Sequence, residues 1–416
     1  MALKRRTLLG AGIAASAAGF AAPRRPRAQT AGAEPVLRIG VITDLSGQYR
    51  DSSGPNSVEC VRMAAAEFMA ASPGMRVEVL AGDHQNKPDI ALGVVRQWFD
   101  RDGVDMVVNG NNSAVALAVG NLAREKNRLH VNTAAVSADL TGASCGPNLI
   151  HWTYDTWEEA HSTGSALVAA GGKRWFFVTA DYVFGRTLQR DTAAAVQAAG
   201  GEVLGAAAYP FPGTTDFSAY IVQAQSSGAD VLAFANAGGD FVNCVKQAHE
   251  FGLVEHGIRL AGMVVFTTDI DALGLDVAKG LVLTSTFYWD FNDRTRAFAA
   301  RFRARLPQGC PNEINAGDYA GTLHYLKAAK AIGAAAAKAS GLDVAAAMKR
   351  MPTDDDCFGP GSVRADGRAI HPAYLFEVKR PEDSRARWDY LRQIGTTPAE
   401  AAFRPMKDGG CPLVRS

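Results

Sequence analysis

The chain has 416 residues, 47% of them hydrophobic and 20% charged, which is long enough for two domains of ordinary size and too apolar for a disordered chain. The formal charge of +1 conceals an asymmetry: residues 1–33 hold six of the 43 basic residues and none of the 42 acidic ones, so the remainder stands at −5. A mildly acidic body lacks the basic footprint that a nucleic-acid partner requires.

The N-terminus reads Lys4-Arg5-Arg6-Thr7-Leu8-Leu9, then a weakly apolar Ala/Gly stretch to Ala22, then Arg24, Arg25 and Arg27. Charged, apolar and small-residue zones in that order are expected of an export leader, and paired arginines before two leucines match a Tat signal. Residues 1–33 are therefore set aside as a Tat-type signal peptide, with cleavage expected between Ala28 and Ala33 and a soluble, periplasmic mature protein. No later stretch approaches the ~20 apolar residues of a membrane span.

From there strand-like and helix-like segments alternate, and they do so twice. The first set places strands at 36–43, 76–80, 105–108 and 129–132, with helices at 58–71, from Pro88, and from Ser113 to Asn127. Val61, Ala65 and Phe68 recur at helical spacing in the first helix, and Pro88 suits a first helical position, where its missing N–H costs little. A loop rich in Ala, Ser, Thr and Gly covers 133–150. The second set places helices at 157–170, 186–199, 216–226 and 240–252, and strands at 175–179, 202–209, 231–235, 258–265 and 281–285. Helices follow at 293–305, 316–337 and 341–350, then strand-like sequence at 362–364, 373–378 and 388–394, with a hairpin turn at Ala365-Asp-Gly367. The two halves match internally: Gly103-Val-Asp-Met-Val-Val-Asn109 parallels Gly228-Ala-Asp-Val-Leu-Ala-Phe-Ala-Asn236. Continuous apolar strands alternating with helices predict parallel sheets covered on both faces, hence two α/β lobes.

Motifs of catalysis and metal binding are missing. Gly10-Ala-Gly12 lies in the leader with no strand before it, His249-Glu250 has no second histidine at zincin spacing, and neither a Gly-x-Ser-x-Gly elbow nor a phosphate loop occurs. Without Cys-x-x-Cys, redox and zinc chemistry are weak readings. No cofactor, no metal and no enzymatic activity are expected. Six cysteines in an exported chain permit disulfides without fixing their pairing. Cys145 and Cys411, both in Gly/Pro-rich loops, form the favoured pair, pinning the tail.

Open α/β sheets bind ligands at the carboxyl ends of their strands, which directs attention to the loops there. Asn109-Gly-Asn-Asn112-Ser113 leaves a strand and enters a helix, where free N–H groups and a hydroxyl suit a carboxylate; for Ser113 the alternative is a plain helix cap. Thr133, Ala134 and Ser137 follow the next strand. In the second half Tyr182, Phe184, Asn236, Gly238, Thr267 and Asp269 occupy comparable positions. His151 and His161 flank the suspected crossover, where hydrogen-bonded structural roles outweigh catalysis.

The doubled lobes, Asp44-Leu-Ser-Gly47, Asn111-Asn-Ser113-Ala-Val-Ala-Leu-Ala and Ala138-Asp-Leu-Thr-Gly142 resemble the branched-chain amino-acid-binding proteins of ABC importers. Ile150-His-Trp-Thr-Tyr-Asp155 and Ala180-Asp-Tyr-Val-Phe-Gly185 are similar to a branch that includes receptors for aromatic carboxylates. The resemblance implies a type I periplasmic-binding fold with three hinge crossings, near 150–156, 285–290 and 353–359. One lobe would be 34–150 with 290–355, the other 155–286 with 359–395, and 396–416 a C-terminal tail. It also implies that Ser113 and the backbone around Ala134 hold a ligand carboxylate. Phe184 stands where the family often has tyrosine. The acid that usually neutralises a ligand ammonium has no counterpart at Gly262-Met-Val264; Asp269 and Asp271 lie farther along. The expected function is a monomeric periplasmic receptor that delivers a small organic carboxylate, an aromatic acid or a branched-chain or other amino acid, to inner-membrane ABC permease subunits. A ligand-sensing module or a hydrolase on the same scaffold is the alternative.

Overall fold

The computed structural model describes residues 35–414, so the signal peptide expected at residues 1–33 lies outside the described residues. The first lobe runs β1 Val36–Thr43, α1 Gly54–Ala70, β2 Arg76–Asp83, α2 Pro88–Gln97, β3 Met106–Asn109, α3 Ser113–Glu125, β4 Leu129–Asn132 and β5 Leu149–His151. Its five strands lie in the order β2-β1-β3-β4-β5, all parallel. The fifth strand, brief and all buried, sits where the sequence suggested only an entry to the crossover.

Side-chain alternation divides the core between the sheet's two faces. Leu37, Ile39 and Val41 pack against Val61, Ala65 and Phe68 of α1, while Ile42 and Val107 pack against Val95 and Trp98 on the opposite side. Gly40 makes room for that tryptophan, because a Cβ at this position would lie 2.4 Å from the Trp98 ring.

The second lobe runs α4 Thr156–Glu159, α5 Ser165–Ala169, β6 Arg174–Ala180, α6 Val183–Ala198, β7 Glu202–Tyr209, α7 Ser218–Ser226, β8 Val231–Ala235, α8 Gly239–Glu250 and β9 Arg259–Gly262. The strand order is β7-β6-β8-β9, again parallel, and in both lobes the second strand in sequence takes the edge. This is the structural form of the internal repeat. The single helix expected at 157–170 is broken by a wide turn at 160–164. Short helices α9 Thr267–Leu273 and α10 Leu275–Ala278 follow, then β10 Val282–Ser285.

The chain crosses between the lobes three times. At the first crossing Trp152 belongs to the core of the first lobe and Tyr154 to that of the second. At the second, Leu283 packs in the second lobe and Phe287 in the first. Helices α11 Asp293–Arg305, α12 Glu313–Ile332, α13 Ala334–Ala339 and α14 Gly341–Arg350 then cover the first sheet, with Phe298, Tyr319, Leu326 and Met348 in its core. Strands β11 Thr353–Asp355, β12 Gly359–Val363 and β13 Ala369–Ile370 form a small antiparallel sheet. Val363 and Ala369 pack with the first lobe, whereas Phe376 and Val378 of β14 Ala373–Val378 pack with the second. The third crossing therefore falls at 371–373, beyond the expected 353–359, because the small hairpin stays with the lobe it leaves. A ring nitrogen of His371 pairs with the Trp152 carbonyl at 2.8 Å and ties the third crossing to the first. Strand β15 Leu391–Thr397 completes an antiparallel sheet with β10 and β14.

Cys145 and Cys411 are joined in a disulfide with Cα atoms 5.6 Å apart, fastening the tail to the first lobe. Cys60, Cys244, Cys310 and Cys357 are free and buried.

Candidate functional site

The carboxyl ends of both parallel sheets face one narrow cavity. The first lobe lines it with Tyr49, Ser52, Asn111, Ser113, Ala134, Ala135, Val136 and Ile314; the second with Tyr182, Phe184, Ala237, Val264 and Phe266; Tyr154 comes from the first crossing.

Asp44, at the end of β1, shapes the loop that brings Tyr49 to the cavity. Its carboxylate accepts backbone N–H bonds from Gly47 (2.7 Å) and Tyr49 (2.9 Å) and a side-chain bond from Asn86 (2.6 Å). At the mouth of the cavity the Tyr49 hydroxyl meets that of Tyr182 from the other lobe at 2.5 Å. Phe211 stacks on both rings, with centroids 5.6 Å from Tyr49 and 4.4 Å from Tyr182. Beside them the Gly239 N–H donates to the Gln48 carbonyl at 3.2 Å, again between lobes. Arg190 of α6 reaches Asp139 of the first lobe at 3.1 Å. The lobes are thus closed on each other around the cavity.

The loop after β3 supplies the polar wall. Asn112, not Ser113, caps α3: its side-chain oxygen accepts from the N–H groups of Ala114 (3.0 Å) and Val115 (3.2 Å), which stabilises such a helix by about 1 kcal/mol. Ser113 is the first helical residue and lines the cavity; its Oγ accepts the Ser137 N–H at 3.3 Å, so its own proton stays available. In the next loop the N–H groups of Ala134 (3.3 Å) and Ala135 (2.9 Å) are taken by the Asn132 side chain, and the Tyr154 hydroxyl donates to the Ala134 carbonyl at 3.2 Å. Ala134 therefore presents its methyl group, and its N–H is already engaged.

Of the eleven residues singled out from the sequence, Ser113, Ala134, Tyr182 and Phe184 line the cavity. The other seven are not among its lining residues. Thr133 donates to Asp318, and the Ser137 hydroxyl reaches Thr187 at 3.3 Å. Asn236 donates to the Cys244 sulfur at 3.3 Å, and Gly238 abuts Gln48. Thr267 opens α9, and Asp269 accepts the Phe266 N–H at 2.9 Å. Burial pushes the Asp269 carboxyl up to about 7, and it braces the turn that carries Phe266. Asp271 pairs with Arg387 at 2.8 Å, away from the cavity. His151 is fully buried, and His161 stacks on Trp157.

Sequence reasoning passed over Tyr49, Ser52, Tyr154, Val264 and Ile314, whereas Asn111 lies in the Asn109–Ser113 loop and Phe266 in the 266–269 loop that it had marked. Tyr49 follows the end of β1, where the same strand-end rule applies. Ile314 sits on α12, some 160 residues past the first crossing, and nothing local marks it.

The sequence profile of the periplasmic binding protein family matches residues 36–385. The chain belongs to that family, in its type I, branched-chain amino-acid ABC division. A periplasmic binding protein from Burkholderia mallei is 43% identical, with 92% of this chain and 100% of that one covered and a TM-score of 0.88. A branched-chain amino-acid ABC transporter periplasmic ligand-binding protein from Burkholderia xenovorans LB400 is 36% identical, with coverages of 91% and 99% and a TM-score of 0.79. A solute-binding protein of an ABC transporter from R. palustris, in complex with benzoate, shares the fold at 21% identity, with coverages of 91% and 99% and a TM-score of 0.76. No curated protein matches the chain.

Proposed function

We propose that this protein is the periplasmic receptor of an ABC importer and that it carries a small monocarboxylate with an apolar, preferably aromatic, body to its permease. One observation carries the ligand class: every side chain lining the cavity is uncharged. An amino-acid ligand would bury its ammonium with no carboxylate to pair it, which costs several kcal/mol. A lone carboxylate is better served. The start of α3, a helix of 13 residues, offers Ser113, neutral donors and the positive end of the helix dipole. The far wall is Tyr154, Phe184, Val264 and Phe266, a surface that suits a ring. Benzoate bound by the R. palustris protein is a sensible first probe, although that protein shares only the fold.

Contacts from both lobes mean that a bound ligand favours the closed state by its differential affinity, and that state is the form proposed to dock on the permease. The test is a thermal-shift screen at neutral pH over benzoate, 4-hydroxybenzoate, cinnamate, 4-methylpentanoate, leucine and phenylalanine. A carboxylate present at 100 times its Kd raises stability by about 2.7 kcal/mol. Stabilisation by amino acids alone would overturn the ligand class.

A further inference from the structure

The amide of Asn111 is the polar group of the cavity whose orientation is most firmly set. Its side-chain oxygen accepts two hydrogen bonds, from the Asp44 N–H at 3.0 Å and from the His84 Nε2 at 2.6 Å. A backbone N–H can only donate, so the atom it meets must be the amide oxygen and not the nitrogen. The histidine agrees with this assignment. Its Nδ1 receives the Asn86 N–H at 3.0 Å, which leaves the ring proton on Nε2 to point at Asn111. Burial holds the His84 pKa below its ordinary value, which keeps that neutral tautomer. The amide nitrogen is then the free end. Asn111 is 6% exposed and lines the cavity, and its Nδ2 has no acceptor among the described residues. A buried donor left unpaired costs about 1–3 kcal/mol, a penalty that a ligand acceptor removes.

We propose that Asn111 is the specificity-determining donor of this cleft, and that it selects a carboxylate head group over a carboxamide of the same shape. The proposal rests on the carboxylate reading above and deepens it. A carboxylate offers acceptors on both oxygens, so either one satisfies Asn111. A carboxamide turned with its nitrogen toward Asn111 sets donor against donor; turned the other way, it must find another acceptor for its own N–H groups. His84 acts as a positioning residue, because it fixes which end of the amide faces the ligand.

Benzoate and benzamide are the matched probes, titrated calorimetrically against the full-length mature protein and against N111D and N111A. The wild type is expected to prefer benzoate by ~30-fold or more, since a carboxamide leaves a buried donor unpaired in either orientation, whereas a carboxylate leaves none. N111D presents an acceptor in place of the donor and is expected to reverse that preference. N111A is expected to lose most of it. Should either variant fail to fold, the side-chain ¹⁵N–¹H₂ resonances of the wild type give a second readout: one asparagine pair is expected to shift with benzoate and not with benzamide. Equal wild-type affinity for the two probes, an unchanged preference in the variants, or no asparagine shift would each overturn the role of Asn111 alone. Failure of the wild type to bind benzoate, cinnamate or 4-methylpentanoate would overturn the carboxylate reading and this proposal with it.

Discussion

Gly238 offers a direct way to hold the cleft open. It has φ +61° and ψ −136°, a conformation that side chains other than glycine adopt only under strain. A Cβ there would lie 2.6 Å from the Gln48 carbonyl oxygen and 3.2 Å from the Tyr49 ring, and both of those residues belong to the opposite lobe. Relief to an ordinary carbon–oxygen contact requires the two loops to part by about 0.7 Å. That movement stretches the bond from the Gly239 N–H to Gln48, now 3.2 Å, and disturbs the hydroxyl contact between Tyr49 and Tyr182, now 2.5 Å. At about 0.5–1.5 kcal/mol for each hydrogen bond, Gly238→Ala should weaken the closed state by about 2 kcal/mol, or roughly 30-fold in affinity. The backbone strain, about 1–3 kcal/mol, is present in open and closed forms alike; it lowers the melting point and cancels from the affinity. Gly257→Ala is the control, because Gly257 has φ +86° with nothing within 4 Å of the added carbon. Calorimetry with the best carboxylate of the screen reads the affinity, and small-angle scattering with saturating ligand reads the shape. Gly238→Ala should bind weakly and stay expanded, while Gly257→Ala should bind normally. If both variants bind as the wild type does, the contact does not control closure.

Three further outcomes follow from the same geometry. Ser113→Ala should weaken carboxylate binding by about tenfold, the worth of one hydrogen bond to a charged group, with little change in melting point; equal affinity by calorimetry would refute the role of its hydroxyl. Glu313 is buried and accepts both the N–H and the hydroxyl of Thr286 at 2.9 Å, and burial pushes its carboxyl up to about 7. A raised carboxyl pKa contributes stability at low pH that is lost as pH rises through about 7, so the wild type should lose about 1–2 kcal/mol relative to Glu313→Gln between pH 6 and pH 8.5. A difference independent of pH in paired melts would refute that assignment. Reduction of the bond between Cys145 and Cys411, which closes a loop with a sequence separation of 266, should destabilise the protein by up to about 5 kcal/mol on the chain-entropy account. The Cys411→Ser variant should lower the melting point similarly and lose its sensitivity to reductant.

Local sequence was sufficient for the architecture because the relevant signals are short-range. Apolar runs such as Met106–Asn109 and Val231–Ala235 are buried along their whole length, so they announce central parallel strands without reference to the rest of the chain. The spacing of Val61, Ala65 and Phe68, the proline that opens α2 and the doubled pattern of strands and helices fixed two lobes before any contact was known. The strand-end rule also led to Ser113, Ala134, Tyr182 and Phe184. What stayed hidden depends on partners distant in sequence. Asn112 caps α3 and Ser113 faces the cavity, a one-residue difference decided by backbone angles at the helix start. Asn132 takes the backbone donors of Ala134 and Ala135, and only its rotamer reveals that. The free end of Asn111 is set by Asp44 and His84, contributed by two other strand ends. Ile314 reaches the cavity because α12 returns to the first lobe after the second crossing. Burial periodicity is written along the chain; the identity of each polar partner is settled only when separate strand ends are brought within hydrogen-bond reach.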